Sequence, residues 1–208
     1  EVYELLSEAK LFEIQARTPS LANFEMKFNV KNHKVYFGLK DIKSLTGVTG
    51  DKVVQALEDV QKELNKPLTK LTWVEILLFL GPKISSTAFK ALASVGFFRD
   101  FDGKVSRNKA LYDYEIYRTL TKGEHTWTEK NYESKKWKDF ISCLKDLAPI
   151  KKQGGGTQKI ERQQIIENEI QLLLDPPYSL DDDPNWIIDQ ESRFLGCPVS
   201  LTRVEAAD

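Results

Sequence analysis

The chain has 208 residues, enough for one sizeable core or two small ones, and its 41% hydrophobic content is ordinary for a soluble globular protein. Its 30 Lys and Arg against 31 Asp and Glu leave a formal net charge of -1, which excludes a histone-like binder with a global basic field and confines any nucleic-acid surface to a local patch. No run approaches the roughly 18 apolar residues of a membrane span, and the first residues lack the basic-then-apolar order of a signal peptide, so a cytoplasmic protein with no membrane partner is expected.

The chain opens at Glu1 inside an amphipathic helical pattern over residues 2–12, with Leu5, Leu6, Ala9 and Phe12 on one face, as a fragment cut from a longer polypeptide would. Thr18-Pro19-Ser20 breaks that pattern, and Phe24, Met26, Phe28 and Val30 then alternate with polar residues as in a half-buried strand. Asn32-His33 reads as a turn and 35–39 as the return strand, after which Gly38 releases the backbone into helical structure around 39–45. Helical spacing follows over 51–64, ended by Pro67, and over 73–80, stopped by Gly81-Pro82. Ser85 or Ser86 suits the cap of a helix through Ala88, Leu92 and Val95, which closes at Gly96 in a left-handed conformation. An aromatic-rich helix is expected at 107–120, then a polar, tryptophan-containing stretch at 122–138 and a helix at 140–147. Gly154-Gly155-Gly156 reads as a flexible joint, natural or engineered, before helices at 160–174 and 186–195 that flank an exposed acidic turn, Asp181-Asp182-Asp183-Pro184. Cys143 and Cys197 lie far apart without ligand-like neighbours, so free thiols and no zinc are expected.

The segment with most chemical content is 39–57, where helix, Gly47-Val48-Thr49-Gly50 and helix follow one another. A tight glycine hairpin between short helices presents successive backbone N–H groups to a phosphate oxygen without reading a base, and Lys43 and Lys52 add charge there. The plainer alternative is that Gly47 and Gly50 serve only a helix end and a turn. About forty residues on, a second unit repeats the arrangement: Lys83, Ser85 and Ser86 precede a helix carrying Lys90, and Arg107 opens the next one. Paired units of this kind hold phosphates on both sides of a minor groove.

Val35-Tyr36-Phe37-Gly38-Leu39, then Ile42-Lys43, then Gly47-Val48, resembles the hydrophobic-Arg-Phe-Gly-Leu, Ile-Lys-Gly-Val-Gly passage of the C-family replicative DNA polymerases, the alpha subunit of bacterial DNA polymerase III. In the same order, 88–98 is similar to that family's Leu-Glu-Ala-Leu-Ile-Lys-Ala-Gly-Ala-Phe helix, and Ser106-Arg107-Asn108-Lys109-Ala110-Leu111 to its Asn-Arg-x-x-Leu-Leu sequel. The resemblance covers about residues 1–120 and returns more faintly in Glu191-Ser192-Arg193-Phe194-Leu195-Gly196. It departs from the family where Ser44-Leu45-Thr46 intervenes before Gly47, where Thr49 stands for the second glycine, and over 122–152, a divergence that suits a phage-encoded or otherwise unusual member better than a standard bacterial one. The resemblance implies the end of the fingers and a tandem helix-hairpin-helix region that holds duplex DNA behind the active site. The palm carboxylates, with their two Mg2+ ions, would then precede residue 1, leaving this chain with no catalytic residue and no cofactor of its own.

Other readings compete. Asp181, Asp182, Asp183, Asp189 and Glu191 imitate the metal site of a nuclease, although acidic clusters on Pro-flanked turns are more often solvated loops. His33 and His125 read as exposed bystanders. Trp127, Tyr132 and Trp137 interleave with Lys130, Lys135, Lys136 and Lys138, which suits stacking on single-stranded DNA, a hot spot for a replisome protein, or a satellite core under lysine stems.

The expected fold is mainly α: a small N-terminal β-hairpin, tandem helix-hairpin-helix units and a C-terminal helical part loosely attached after the glycines. Its expected divisions are 1–45 (fingers-like, with the hairpin), 46–121 (DNA-binding), 122–153 (Trp/Lys-rich insert) and 154–208 (C-terminal helices). The expected function is sequence-independent binding of duplex DNA in support of DNA synthesis, through Lys43, Gly47, Thr49, Gly50 and Lys52 in one unit and Lys83, Ser85, Ser86, Lys90 and Arg107 in the other.

Overall fold

The computed structural model describes Glu4, residues 15–149 and residues 159–201. The helix expected over 2–12, Glu4 aside, and the triglycine joint lie outside the described residues.

Three short strands open the fold in the order β1-β3-β2. β2 (Asn29–Lys31) pairs antiparallel with β3 (Lys34–Tyr36) across Asn32 and His33, whose φ values of 48° and 61° are those of a two-residue hairpin turn. β1 (Gln15–Arg17) adds on the other side of β3 in parallel register, placing buried Ala16 opposite buried Val35. The strand expected over 24–30 is thus confined to its last residues. Upstream of them, Glu25 and Met26 accept through their carbonyls from the Leu39 and Lys40 amides, while Phe24 packs on Phe97 and Phe28 on Phe37.

Helix α1 (Val48–Leu64) buries Val53, Ala56, Leu57 and Val60 along one stripe and ends at Asn65 in the left-handed region, φ 50°. Helix α2 begins as Trp73–Glu75, where Thr72 and Glu75 cap each other reciprocally, and continues as a π-helix over Ile76–Leu80, with the Gly81 amide reaching back to the Ile76 carbonyl at 3.2 Å. All five side chains of Ile76–Leu80 are buried, so this turn has no solvent face. Helix α3 (Ser86–Ser94) is capped by Ser85 and α4 (Arg107–Arg118) by Ser106. These two pack closely, with the Phe89 and Tyr114 rings stacked at 4.0 Å between centroids.

The stretch expected to be merely polar is helix α5 (Lys122–Lys135), started by a Thr121–Glu124 capping box. Its buried residues are Glu124, Thr128 and Tyr132, one turn apart, so its inward stripe is largely polar and leaves no hydrophobic period in the sequence. Helix α6 (Phe140–Leu147) starts on Asp139, α7 (Ile160–Leu174) packs against α6, and α8 (Pro184–Leu195) starts on Asp183 and ends at Gly196, φ 85°.

The loosely attached C-terminal part is corrected by this packing. Ile166, Ile170, Leu173, Leu195, Cys197 and Val199 join the same apolar cluster as α1 to α6, and α8 lies against α3. The fastening is ionic as well: Arg107, 7% exposed, meets Glu191, 0% exposed, at 2.9 Å. Gly96, at φ 81°, lies directly beneath that arginine, and a Cβ there would sit 2.9 Å from Arg107 Nε. Only glycine satisfies both the left-handed backbone and the approach of the guanidinium. Cys143 and Cys197 are buried and unbridged.

Candidate nucleic-acid interface

The first unit is built by two short 3-10 turns, Leu39–Asp41 and Lys43–Leu45, that lead the chain to Gly47 and the start of α1. Gly47 is exposed and takes φ 65°, ψ -134°, a conformation that other residues adopt only under strain. It turns the chain so that α1 begins at Val48 with no side-chain cap. The first amides of a helix have no intrahelical acceptor and carry its positive dipole end, so this opening turn is chemically suited to an anion. Lys43 and Lys52 flank it, both exposed, and Thr49 is half-buried in the turn itself.

Gly50 has a different task from the one expected. It is buried, and a Cβ there would lie 2.5 Å from the Leu45 carbonyl oxygen, so it lets α1 press against the preceding 3-10 turn. The Lys40 stem crosses the same spot, and its ammonium meets Asp51 at 3.1 Å. Lys40 thereby offsets the one acidic residue in the first turn of α1, a contribution that the sequence reading missed because the two residues lie eleven apart. Val48, 68% exposed, caps the tip with an apolar surface.

The second unit is largely committed to the protein itself. Lys83 has an 18% exposed side chain and donates to Glu63 at 3.1 Å and to the Phe79 carbonyl at 3.0 Å, with its ammonium over the Phe79 ring. Ser85 spends its hydroxyl on the Ala88 amide at 3.2 Å. Lys90 is ion-paired with Glu115, whose carboxyl burial would raise but which Lys90 and Arg118 hold below the ordinary range. Arg107 is the buried strut described above, also donating to the Ser94 carbonyl at 3.1 Å. The expectation of phosphate contacts from Lys83 and Arg107 is therefore corrected: Arg107 is buried on internal acceptors, and the partly exposed Lys83 ammonium is already paired with Glu63 and the Phe79 carbonyl. Ser86, in the first turn of α3 and half-buried, keeps its place at a helix start.

Two of the three aromatic residues of the insert are turned inward, and Trp127 is half-buried beside them. Tyr132 and Trp137 are 4% and 5% exposed; Tyr132 packs edge-on against Phe79, Trp137 lies between Trp127 and Tyr132, and Trp137 Nε1 donates to Asp146 at 2.8 Å. Rings so enclosed present no face to a base, and the satellite-core alternative describes them. His125 is not an exposed bystander but sits half-buried in α5, edge-on to Tyr117, with Nε2 3.0 Å from the Leu120 carbonyl. Burial holds its pKa below the ordinary 6.5. His33 is exposed in the hairpin turn.

Three of the five acidic residues of 181–191 have separate structural tasks. Asp182 accepts from the Arg107 and Asn108 amides at 2.9 and 3.0 Å, Asp183 caps α8, and Glu191 accepts from Arg107, from the Val199 and Ser200 amides and from the Ser200 hydroxyl. Among the described residues no group of three or more His, Cys, Asp or Glu is placed to hold a metal ion, and no helix is long and apolar enough to cross a membrane. Compared with protein-family models, curated proteins and solved structures, the chain has no significant match.

Proposed function

We propose that this chain grips duplex DNA through its phosphates, without regard to sequence, as part of a replicative DNA polymerase of the C-family type, and carries no catalytic centre itself. The observation that carries the reading is the uncapped start of α1, where Gly47 turns the chain outward between exposed Lys43 and Lys52. A helix start of this kind is an anion site by its dipole and its unpaired amides, and flanking lysines raise the local phosphate affinity. The ordered likeness of 35–48, 88–98 and 106–111 to the polymerase segments supports the same reading. With Lys83 and Arg107 engaged internally, the first unit provides the main grip and Ser86 at the start of α3 a secondary contact.

The test is fluorescence anisotropy of the purified chain with a labelled blunt duplex, a second duplex of scrambled sequence and the matching single strand. The expected result is equal binding of the two duplexes, weaker binding of the single strand, and a loss of duplex affinity in Lys43→Ala/Lys52→Ala. Unchanged duplex affinity in that double variant at low salt overturns the assignment of the site.

A further inference from the structure

The outer face of α7 and the loop that follows it is chemically the reverse of the lysine-flanked α1 start. Between Arg162 and Arg193 the chain contains no lysine, arginine or histidine, while Glu167, Asp175, Asp181 and Asp183 are all exposed. Into this acidic stretch the fold sets Leu172 at 44% and Tyr178 at 63% exposure, with Ile165 two turns before Leu172 on the same side of α7 at 47%.

These features form one surface because α4 fastens them together. The Tyr112 hydroxyl donates to the Leu172 carbonyl at 2.7 Å, and the Tyr112 ring meets Tyr178 edge-on at 5.8 Å between centroids. One turn earlier on the same face of α4, the Asn108 side chain holds Asp182 at 3.0 Å and the Asp181 carbonyl at 3.3 Å. Nearby cations on α4 and at the start of α7 are already paired, Lys109 with Asp113, Arg118 with Glu115 and Arg162 with Glu124, and Arg193 lies in the last turn of α8, at the opposite end from Asp183. An apolar patch rimmed by one sign of charge is the signature of a protein contact, and an acidic rim attracts a cationic partner while repelling nucleic acid and anionic lipid.

We propose that this face docks a cationic amphipathic segment of a partner protein. Its apolar side chains pack on Leu172 and Tyr178, and its lysines or arginines meet Asp175, Asp181 and Asp183. The assignment does not rest on duplex binding and stands or falls separately.

The whole chain is titrated by anisotropy against a fluorescein-labelled helical peptide of leucine and lysine at amphipathic spacing, with a leucine/glutamate counterpart and oligolysine as controls. The leucine/lysine peptide is expected to bind, the glutamate counterpart not to bind, and oligolysine to bind at least about tenfold more weakly. Leu172→Ser/Tyr178→Ser is expected to weaken the leucine/lysine peptide by about tenfold with an unchanged circular dichroism spectrum, since both residues are exposed. Asp175→Asn/Asp181→Asn/Asp183→Asn is expected to remove the salt-sensitive part of the affinity, and asparagine at 183 retains a helix cap. Equal binding of oligolysine, affinity unmoved by both sets of substitutions, or no peptide binding overturns the proposal. So does a concentration-dependent dimer that Leu172→Ser/Tyr178→Ser abolishes, which would assign the face to a second copy of the chain.

Discussion

Replacing Glu191 by alanine should cost the protein a large share of its stability. The Glu191 carboxylate is fully buried; its Oε2 accepts from Arg107 at 2.9 Å and from the Ser200 hydroxyl at 2.8 Å, and its Oε1 from the Val199 and Ser200 amides at 2.8 and 2.7 Å. Truncation strands the Arg107 guanidinium, and removing one partner of a buried pair typically costs about 3–5 kcal/mol. The Ser200 amide adds little, because Ser200 is exposed and water can replace its acceptor, whereas the buried Val199 amide loses its acceptor outright. An expected loss of about 4 kcal/mol stands against a typical total of about 5–15 kcal/mol. Urea unfolding followed by circular dichroism reads this directly: with a slope of roughly 2–3 kcal/mol per molar urea, the midpoint should fall by about 1.5 M. Glu191→Gln keeps part of the acceptor set and should fall by less. Arg107→Met/Glu191→Leu removes both charges and should recover most of the loss. A midpoint shift below about 0.3 M in Glu191→Ala would refute the argument that this pair fastens α8 to the rest of the fold.

Three further perturbations test other contacts. Gly96→Ala should destabilise by more than the roughly 1–2 kcal/mol of a left-handed alanine, because its Cβ meets Arg107, whereas Gly196→Ala, with nothing within 4 Å, should cost only the backbone part; thermal melts of the two separate the terms. Trp137→Ala should lower stability by about 3–5 kcal/mol in the same assay, and a near-neutral melt combined with weakened single-strand binding would restore the aromatic stacking reading. His125, whose folded pKa lies below 6.5, takes up its proton more readily in the unfolded chain. Its contribution is complete above pH 6.5 and is lost as pH falls through the folded value, so His125→Gln should flatten stability against pH just below 6.5, as read from urea midpoints.

The sequence carried the helices whose apolar residues recur at helical spacing between good punctuation. The residues 160–174 and 186–195 bury Ile166, Ile170 and Leu173, and Ile188 and Leu195, with Asp183 and Gly196 marking the ends of the second. Helix α5 escaped because its inward residues include Glu124 and Thr128, and only the Thr121–Glu124 capping box announced it. The alternation at Phe24, Met26 and Phe28 is real packing, but without a strand partner it makes no ladder, and β1 has a partner only through a pairing that local pattern does not encode. In the candidate site, Gly47 and the exposure of Lys43 and Lys52 were legible because both are local properties of a turn and a helix start. The fates of Lys83 and Arg107 were not, since they are decided by Glu63 and by Glu191, the latter 84 residues away.

The most direct test of the central claim is the salt dependence of duplex binding by the wild-type chain and by Lys43→Ala/Lys52→Ala. Each lysine–phosphate contact contributes about 0.9 to the slope of log affinity against log salt, so the double variant should lose affinity and flatten that slope by nearly 2. A slope and affinity that match the wild type would contradict the account.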